Sequence, residues 1–269
     1  MTQRTGSTRT ADLGLLSQYL LASVLVCLVP GIAVAQEWPD EHVSGPFAYH
    51  ADFQLRPIFP LLRTVSELQH DVPRELGLGK VNERVHVFLF EKQSTYRKYV
   101  KKYFPDAPLR PALFIKQRGP GMVFARLSPQ LDVDLRHETT HAVLHSMLPM
   151  VPLWLDEGLG EYFELPPSAR ASRHSHLTAI RKLARRNRVP SLESLEALGD
   201  LSEMNANHYR DCWAWVHFML HGPPVAKRTL TLFLRDIEGH VPPGSLSRRL
   251  RHAIPDLEQQ FAGHFRRWR

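Results

Sequence analysis

The sequence has few cysteines and no long run of like charges. Only two of its 269 residues are cysteines, and no internal repeat or low-complexity tract is present. Apolar residues make up 43% of the chain and charged residues 23%, which excludes a collagen-like or wholly disordered protein. Lys and Arg outnumber Asp and Glu by 34 to 27, yet five like charges never follow one another. With no recognisable nucleic-acid-binding module either, we expect no nucleic acid as a partner.

The one long apolar stretch lies near the N-terminus. Basic residues precede it, residues 20–35 form its densest part, and a small-x-small site, AVA, ends at Ala35. These three features are typical of a secretory signal peptide. We therefore predict a signal peptide over 1–35 and an exported protein, periplasmic or secreted. The alternative is an uncleaved membrane anchor, which polar residues and a Pro-Gly break disfavour.

Cleavage after Ala35 would leave Cys212 as the one cysteine of the mature chain. An internal disulfide is then excluded, although an exported protein would be allowed one. Cysteine ligation of a metal by several thiolates is excluded for the same reason. The stability of the mature chain must come from core packing, with a metal ion as a further source.

Hydrophobic periodicity changes near residue 130. Strands are predicted over 46–53, 84–90, 112–116 and 122–127, with helices over 60–78 and 94–104. Further helices are predicted over 131–148, 153–165, 169–187, 191–198, 206–221, 224–238 and 254–267. We therefore predict an α+β fold, with a small mixed α/β lobe over 36–130 followed by a mainly helical lobe over 131–269.

The segment HETTH at 137–141 is an H-E-x-x-H motif. Side chains four residues apart share a helix face, so His137 and His141 can converge on one zinc ion. Glu138 lies beside them and is placed to accept a proton from water on the metal. The alternative is a pair of ordinary core histidines. It is costly, because two imidazoles would lie in an apolar stripe without a shared partner.

A catalytic zinc site needs a third protein ligand and one open position. The segment LWLDEGLGEYFE at 153–164 follows a proline-rich turn and supplies Glu157, which would complete a His₂Glu set. Glu161 lies one turn further on, and we predict that it hydrogen-bonds the far nitrogen of a histidine ligand. The alternative is that Glu157, Glu161 and Glu164 form a solvated acidic face.

The segments HETTHAVLH and LWLDEGLGEYFE together resemble the gluzincin metallopeptidases, in particular the peptidase-MA-like branch of exported proteins related to the aminopeptidases. The resemblance covers most of 46–221 and is most specific over 137–164. It implies a thermolysin-like fold for 36–269, a zinc cofactor, and peptide or protein substrates. It also implies that an edge strand near 122–127 lines the substrate cleft. The segment GPGMVFARL lacks the Glu of the aminopeptidase G-x-M-E-N strand, so an aminopeptidase specificity is not implied.

The resemblance further implies an electrophile on a later helix. Tyr209, in the segment HYRDCWAWVHFML, occupies the matching position, where a phenol can donate a hydrogen bond to the developing oxyanion. The alternative is a core role, because Tyr209 begins an apolar stripe that continues through Cys212 and Val216.

Three other histidines are assigned no role in the chemistry. His145 is eight residues from His137, which is too far for it to bind the same metal. His174 and His176 lie in an arginine-rich segment, and we predict that they are solvated.

These features predict an exported zinc-dependent metallopeptidase that hydrolyses peptide bonds with Glu138 as general base. One alternative is a zinc-binding protein on the same fold without proteolytic activity. Another is a basic module that contacts the anionic envelope surface.

Overall fold

The computed structural model describes residues 38–117 and 119–268. The predicted signal peptide, 1–35, lies outside the described residues. Within the described ranges, every helix is too short or too polar to cross a bilayer.

One mixed sheet forms the first part of the described chain. Its strands are β1 (Asp40–Ser44), β2 (Phe47–Ala51), β3 (Val85–Phe90), β4 (Ala112–Ile115) and β5 (Gly121–Arg126). Their order across the sheet is β1-β2-β3-β5-β4. The central strands β2, β3 and β5 run parallel, whereas β1 and β4 pair antiparallel at the two edges.

Three of the described helices lie between strands of this sheet, and the described chain after β5 is mainly helical. The helices are α1 (Phe59–Ser66), α2 (Leu68–Leu76), α3 (Gln93–Tyr103), α4 (Leu131–Met147), α5 (Leu153–Phe163), α6 (His176–Arg185), α7 (Leu192–Glu196), α8 (Ala206–His221), α9 (Pro224–Glu238), α10 (Leu246–Ala253) and α11 (Leu257–Arg267). The predicted α+β class is confirmed, because the sheet comes first and every described element after β5 is helical.

The alternation of side chains along β3 and β5 gives the sheet two covered faces. Val85, Val87 and Leu89 join the main core, which also contains buried side chains of α1, α2 and α4. Phe90 and Phe124 belong to a second cluster beneath α3. Helix α4 packs on β5 and β4, so the sheet holds the helix that carries the H-E-x-x-H motif against its β4 edge.

The prediction that 122–127 is the edge strand is wrong. This segment forms β5, which is hydrogen-bonded to β3 on one side and to β4 on the other. Both rows of its backbone groups are therefore occupied, and β5 cannot accept a substrate strand. The edge strand beside it is β4, from the segment predicted as 112–116.

Several element boundaries also differ from the prediction. The helix predicted over 60–78 breaks near Glu67, and α2 continues through Pro73 to Gly77, whose φ of 70° ends it. The helix predicted over 169–187 begins only at His176. Strand β1 and helix α10 were not predicted. Helix α10 begins where the Ser245 hydroxyl accepts a hydrogen bond from the Arg248 amide.

The C-terminal helix α11 is held to α8 through a hydrogen-bonded pair of histidines, of which His217 is buried. Nε2 of His217 donates to the Ala171 carbonyl at 2.9 Å, so its Nδ1 must accept from Nε2 of His264 at 3.0 Å. The Trp268 indole donates to the same carbonyl at 2.8 Å. Burial lowers the pKa of His217 to about 3 and that of His264 to about 4. Both rings are therefore neutral in the folded protein near pH 7.

We expect acid to destabilise the fold through His217. The unfolded chain gains a proton on this residue below about pH 6.5 while the folded chain does not, so stability falls as pH falls. The loss on going from pH 7 to pH 5 is about 2 kcal/mol for this residue. Urea unfolding of the wild type and of His217→Gln at both pH values measures it. The stability gap between the two proteins should narrow at pH 5, and a gap that stays constant would contradict the prediction.

Candidate metal centre

Two packed helices bring the histidines of the motif together with Glu157. Helix α4 carries His137 and His141 one turn apart, and helix α5 packs against α4. The two imidazole rings lie 4.8 Å apart between centroids, with an interplanar angle of 74°. Glu157 extends from α5 toward both rings and is buried.

Three side-chain atoms surround one small volume. Nε2 of His137 lies 3.5 Å from Oε2 of Glu157, and Nε2 of His141 lies 3.9 Å from the same oxygen. Ligands about 2.0–2.2 Å from a tetrahedral zinc ion are about 3.4 Å apart, so this arrangement fits zinc with little adjustment. The Oε2 atom of Glu157 is buried and has no hydrogen-bond partner among the described residues. Because an unpartnered buried carboxylate oxygen is costly, its position favours a bound cation.

The far nitrogen of each histidine is held by a carboxylate. Nδ1 of His141 lies 2.9 Å from Oδ1 of Asp156, and Nδ1 of His137 lies 3.3 Å from Oε2 of Glu164. An ionised carboxylate only accepts hydrogen bonds, so each Nδ1 carries a hydrogen and Nε2 is the nitrogen left to bind a metal. This is the tautomer that binds a metal through Nε2.

Glu161 does not make the contact that the sequence predicted for it. Its Oε2 lies 3.0 Å from Nε2 of His176 and 3.7 Å from that of His174. The carboxylate on His137 is instead Glu164, the residue that follows α5. Glu164 lies seven residues after Glu157, which is two helical turns, so the same face also carries it to the histidines.

The charges around the two histidines favour a cation between them. Burial by itself lowers the pKa of His137, but the neighbouring carboxylates of Glu157 and Glu164 outweigh it and hold that pKa well above its usual value. Burial raises the pKa of Asp156, but the charge of His141 and a hydrogen bond to it outweigh this and lower the pKa. Burial likewise raises the pKa of Glu157, but the neighbouring His137 and His141 outweigh this and lower it. The carboxylates therefore stay ionised near neutral pH.

Two cavities meet at these residues. One, of about 280 Å³, is lined by Glu138, Glu157 and three residues of β4, Leu113, Phe114 and Ile115. The other, of about 240 Å³, is lined by Glu138, Glu157 and Tyr209, among others. Glu138 thus borders both cavities beside the histidines. It is the edge strand β4 that lines this cleft.

Tyr209 lines the second cavity, and its side chain is only partly buried. Burial raises its pKa, the charge of Glu157 raises it further, and Arg110 partly offsets both. The phenol therefore keeps its proton at neutral pH and can donate a hydrogen bond. Its role at an oxyanion stays a prediction. Arg110 was not singled out in the sequence, yet among the described residues that line the two cavities it is the one Lys or Arg.

The prediction that His174 is solvated is wrong. His174 is buried, stacks on Trp213 at 4.7 Å between ring centroids, and contacts Glu164. His176 is partly buried, with its Nε2 on Glu161. The prediction assumed a helix from residue 169, but α6 begins only at His176. His174 therefore lies in the preceding turn and not on the basic face of the helix.

Comparison with known proteins finds a distant structural similarity and no similar sequence. No protein-family model matches the sequence, and no curated protein does. One solved structure that matches distantly is the M1 zinc metallopeptidase from Deinococcus radiodurans. The sequence identity is 13% and the TM-score 0.35, over 84% of this chain and 50% of that one. The chain thus spans half the length of that protein, and a TM-score this low carries no functional conclusion.

Gly160 makes room for a histidine of the candidate metal centre. A Cβ atom at this position would lie 2.9 Å from Nε2 and from Cε1 of His137. The ring must therefore shift in Gly160→Ala, whereas the helix backbone gains in helix propensity. We expect zinc affinity to fall at least about 10-fold, the lower range for disturbing a neighbour of a ligand, without loss of stability. Competition with a chelator measures the affinity, and urea unfolding of the metal-free protein measures the stability.

Gly158→Ala is the matched comparison on the same helix. A Cβ atom there would lie 2.8 Å from the backbone carbonyl oxygen of Cys212, where α5 packs on α8. Because a backbone atom of a packed helix cannot move away alone, we expect about 1–3 kcal/mol of destabilisation. If both variants lost stability equally, the assignment of Gly160 to the histidine would be wrong.

Proposed function

We propose that this chain is an exported zinc-dependent metallopeptidase that hydrolyses peptide bonds. In this proposal His137, His141 and Glu157 bind the metal, and Glu138 is the general base. The observation that carries it is the buried, unpartnered oxygen of Glu157, which faces Nε2 of both histidines.

The donor set fits zinc. Two imidazoles and one carboxylate form a set that zinc takes in catalytic sites, with a fourth position open to water or substrate. When bound, zinc polarises a substrate carbonyl and makes water acidic enough to attack it near pH 7.

The chain's own residues perform the proton transfers. The carboxylate of Glu138 takes the proton from the attacking water and later passes it to the leaving amine. The hydroxyl of Tyr209 donates a hydrogen bond to the oxygen on which negative charge develops. Strand β4 lies at the edge of the described sheet and lines the cleft, so an extended peptide can pair with it by β-augmentation.

Export is a separate part of this proposal. The described fold begins at Trp38, only three residues after the proposed cleavage site at Ala35. Removal of 1–35 therefore leaves every described element intact. Intact-mass measurement of the protein expressed with its N-terminus should give a chain that begins at Gln36.

Metal content and metal removal test the proposed function. We expect purified 36–269 to contain about one zinc ion per chain by mass spectrometry and to cleave members of a mixed peptide library. Dialysis against a strong chelator should abolish cleavage, and added zinc should restore it. Stoichiometric zinc without any cleavage would favour the non-proteolytic alternative, and a metal-free chain that cleaves peptides would contradict the proposed mechanism.

We also propose a contact with the anionic envelope surface. Helix α3 exposes a basic face formed by Arg97, Lys98, Lys101 and Lys102. Cosedimentation with anionic vesicles should decrease as salt is raised, because salt screens exposed charges. Binding that is insensitive to salt would contradict this contact.

A further inference from the structure

Each of the two metal-facing histidines is joined through a carboxylate to a second histidine further out. We propose that these outer residues, His145 and His174, are positioning residues of the metal centre. The inference rests on the proposed function, since it concerns how the same site holds its metal. The sequence analysis assigned neither residue a role.

The first of these chains runs through Asp156. Its Oδ1 lies 2.9 Å from Nδ1 of His141, and its Oδ2 lies 2.9 Å from Nε2 of His145. His145 is one turn beyond His141 on α4, so both rings reach the same carboxylate on α5. With both oxygens occupied, Asp156 cannot rotate away from His141 without losing a hydrogen bond.

The second chain runs through Glu164. Its Oε2 lies 3.3 Å from Nδ1 of His137, and its Oε1 lies 3.1 Å from Nε2 of His174. The His174 ring is itself fixed, because it stacks on Trp213 and its Nδ1 accepts a hydrogen bond of 3.2 Å from the backbone amide of His176. The inner and outer residues differ between the two chains, yet the arrangement of histidine, carboxylate and histidine is the same.

The direction of these hydrogen bonds argues against a second metal site. Ligand atoms of Glu161, His174 and His176 lie within 4.8 Å of one another, which by distance alone could hold a cation. However, Nδ1 of His174 accepts the amide hydrogen, so its Nε2 carries the ring proton and offers no lone pair to a metal. That Nε2 is instead a donor to Glu164. His174 therefore acts on the first site through Glu164 and does not form a site of its own.

The consequence is a pre-organised pair of ligands. Each outer histidine donates to its carboxylate, the carboxylate accepts from Nδ1 of the inner histidine, and Nε2 of the inner ring is left facing Glu157. Without the outer donor, the carboxylate gains rotational freedom and the inner ring can turn or change its tautomer. Outer partners of this kind contribute about 10- to 100-fold to metal affinity.

Paired substitutions test this assignment. His174→Leu and His145→Leu remove the donor, whereas His174→Gln and His145→Gln keep an N–H near the position of Nε2. We expect each Leu variant of 36–269 to bind zinc about 10- to 100-fold more weakly in competition with a chelator. Each Gln variant should recover most of that loss. Urea unfolding of the metal-free proteins separates a change in affinity from a general loss of stability.

His176→Leu is the control, because the His176 side chain contacts Glu161 and neither of the two carboxylates that hold the inner histidines, Asp156 and Glu164. It should leave both the affinity and the content of one zinc per chain unchanged. If His174→Leu fails to fold, the comparison of His145→Leu with His145→Gln still decides the outcome. Wild-type affinity in both Leu variants, or two zinc ions per chain with one lost in His176→Leu, would overturn the inference alone. Absence of zinc from the wild type would overturn the proposed function as well.

Discussion

Replacing Glu138 by Gln is expected to lower peptide hydrolysis by about 100- to 10,000-fold while zinc stays bound. Gln has the same shape but cannot take a proton from the attacking water. Glu138 borders both cavities and is not one of the three residues whose ligand atoms are grouped around the candidate metal position. The loss should therefore appear in kcat, with zinc content by mass spectrometry unchanged.

Asp134→Asn is the matched control for Glu138. Asp134 lies one turn earlier on α4 and lines the same 240 Å³ cavity. Its replacement by Asn therefore removes a similar negative charge nearby. We expect its effect on kcat to stay below about 10-fold, because it only shifts the local potential. Full turnover in Glu138→Gln, or an equal loss in the two variants, would contradict the role of Glu138 as base.

Replacing Glu157 by Ala is expected to weaken zinc binding by more than about 100-fold, the upper range for partners that do not touch the metal. The variant removes the buried oxygen toward which both histidine Nε2 atoms point. It also removes a negative charge from beside two imidazoles, which lowers the attraction of the site for any cation. Zinc affinity is measured by chelator competition, and zinc content after gel filtration gives a second measurement.

Glu161→Gln is the control for this loss. It removes a carboxylate from the same face of α5, one turn on, where the contacts are with His176 and His174. We expect less than about 10-fold weakening of zinc binding, below the range for a direct outer partner. A loss of 10- to 100-fold would instead support the role that the sequence predicted for Glu161. Unchanged zinc in Glu157→Ala would remove Glu157 from the ligand set.

The α+β order of the fold could be read from the sequence because periodicity is a local property. Strand β3 alternates and has β-branched and aromatic residues, and α5 carries its apolar residues at helical spacing. The order of strands across the sheet could not be predicted from the sequence. The residues of β5 read as a strand in any position, and only its pairing with both β3 and β4 shows that it is not the edge. Pairing joins residues that are far apart in sequence, so no local pattern encodes it.

The inner part of the candidate site was equally accessible. The spacing of His137 and His141 places them on one helix face, and the same face of the next helix offered Glu157. Which carboxylate holds His137 was not decided by spacing, because Glu161 and Glu164 lie on neighbouring turns of one face. The side chain of Glu164, and not that of Glu161, reaches Nδ1 of His137 once α4 and α5 are packed.

By itself the sequence determined the classes of element, the pair of histidines, Glu138 beside them and the acidic helix that follows. These depend on helical periodicity and on the chemistry of single side chains, both of which are local. Only the tertiary structure decided that β4 lines the cleft, that Glu157 is buried without a partner, and that His145 and His174 hold the two carboxylates. The physical reason is that burial and hydrogen-bond direction depend on which helices and turns pack together. His174 and Trp213 are 39 positions apart in the sequence, but their rings stack on each other in the fold.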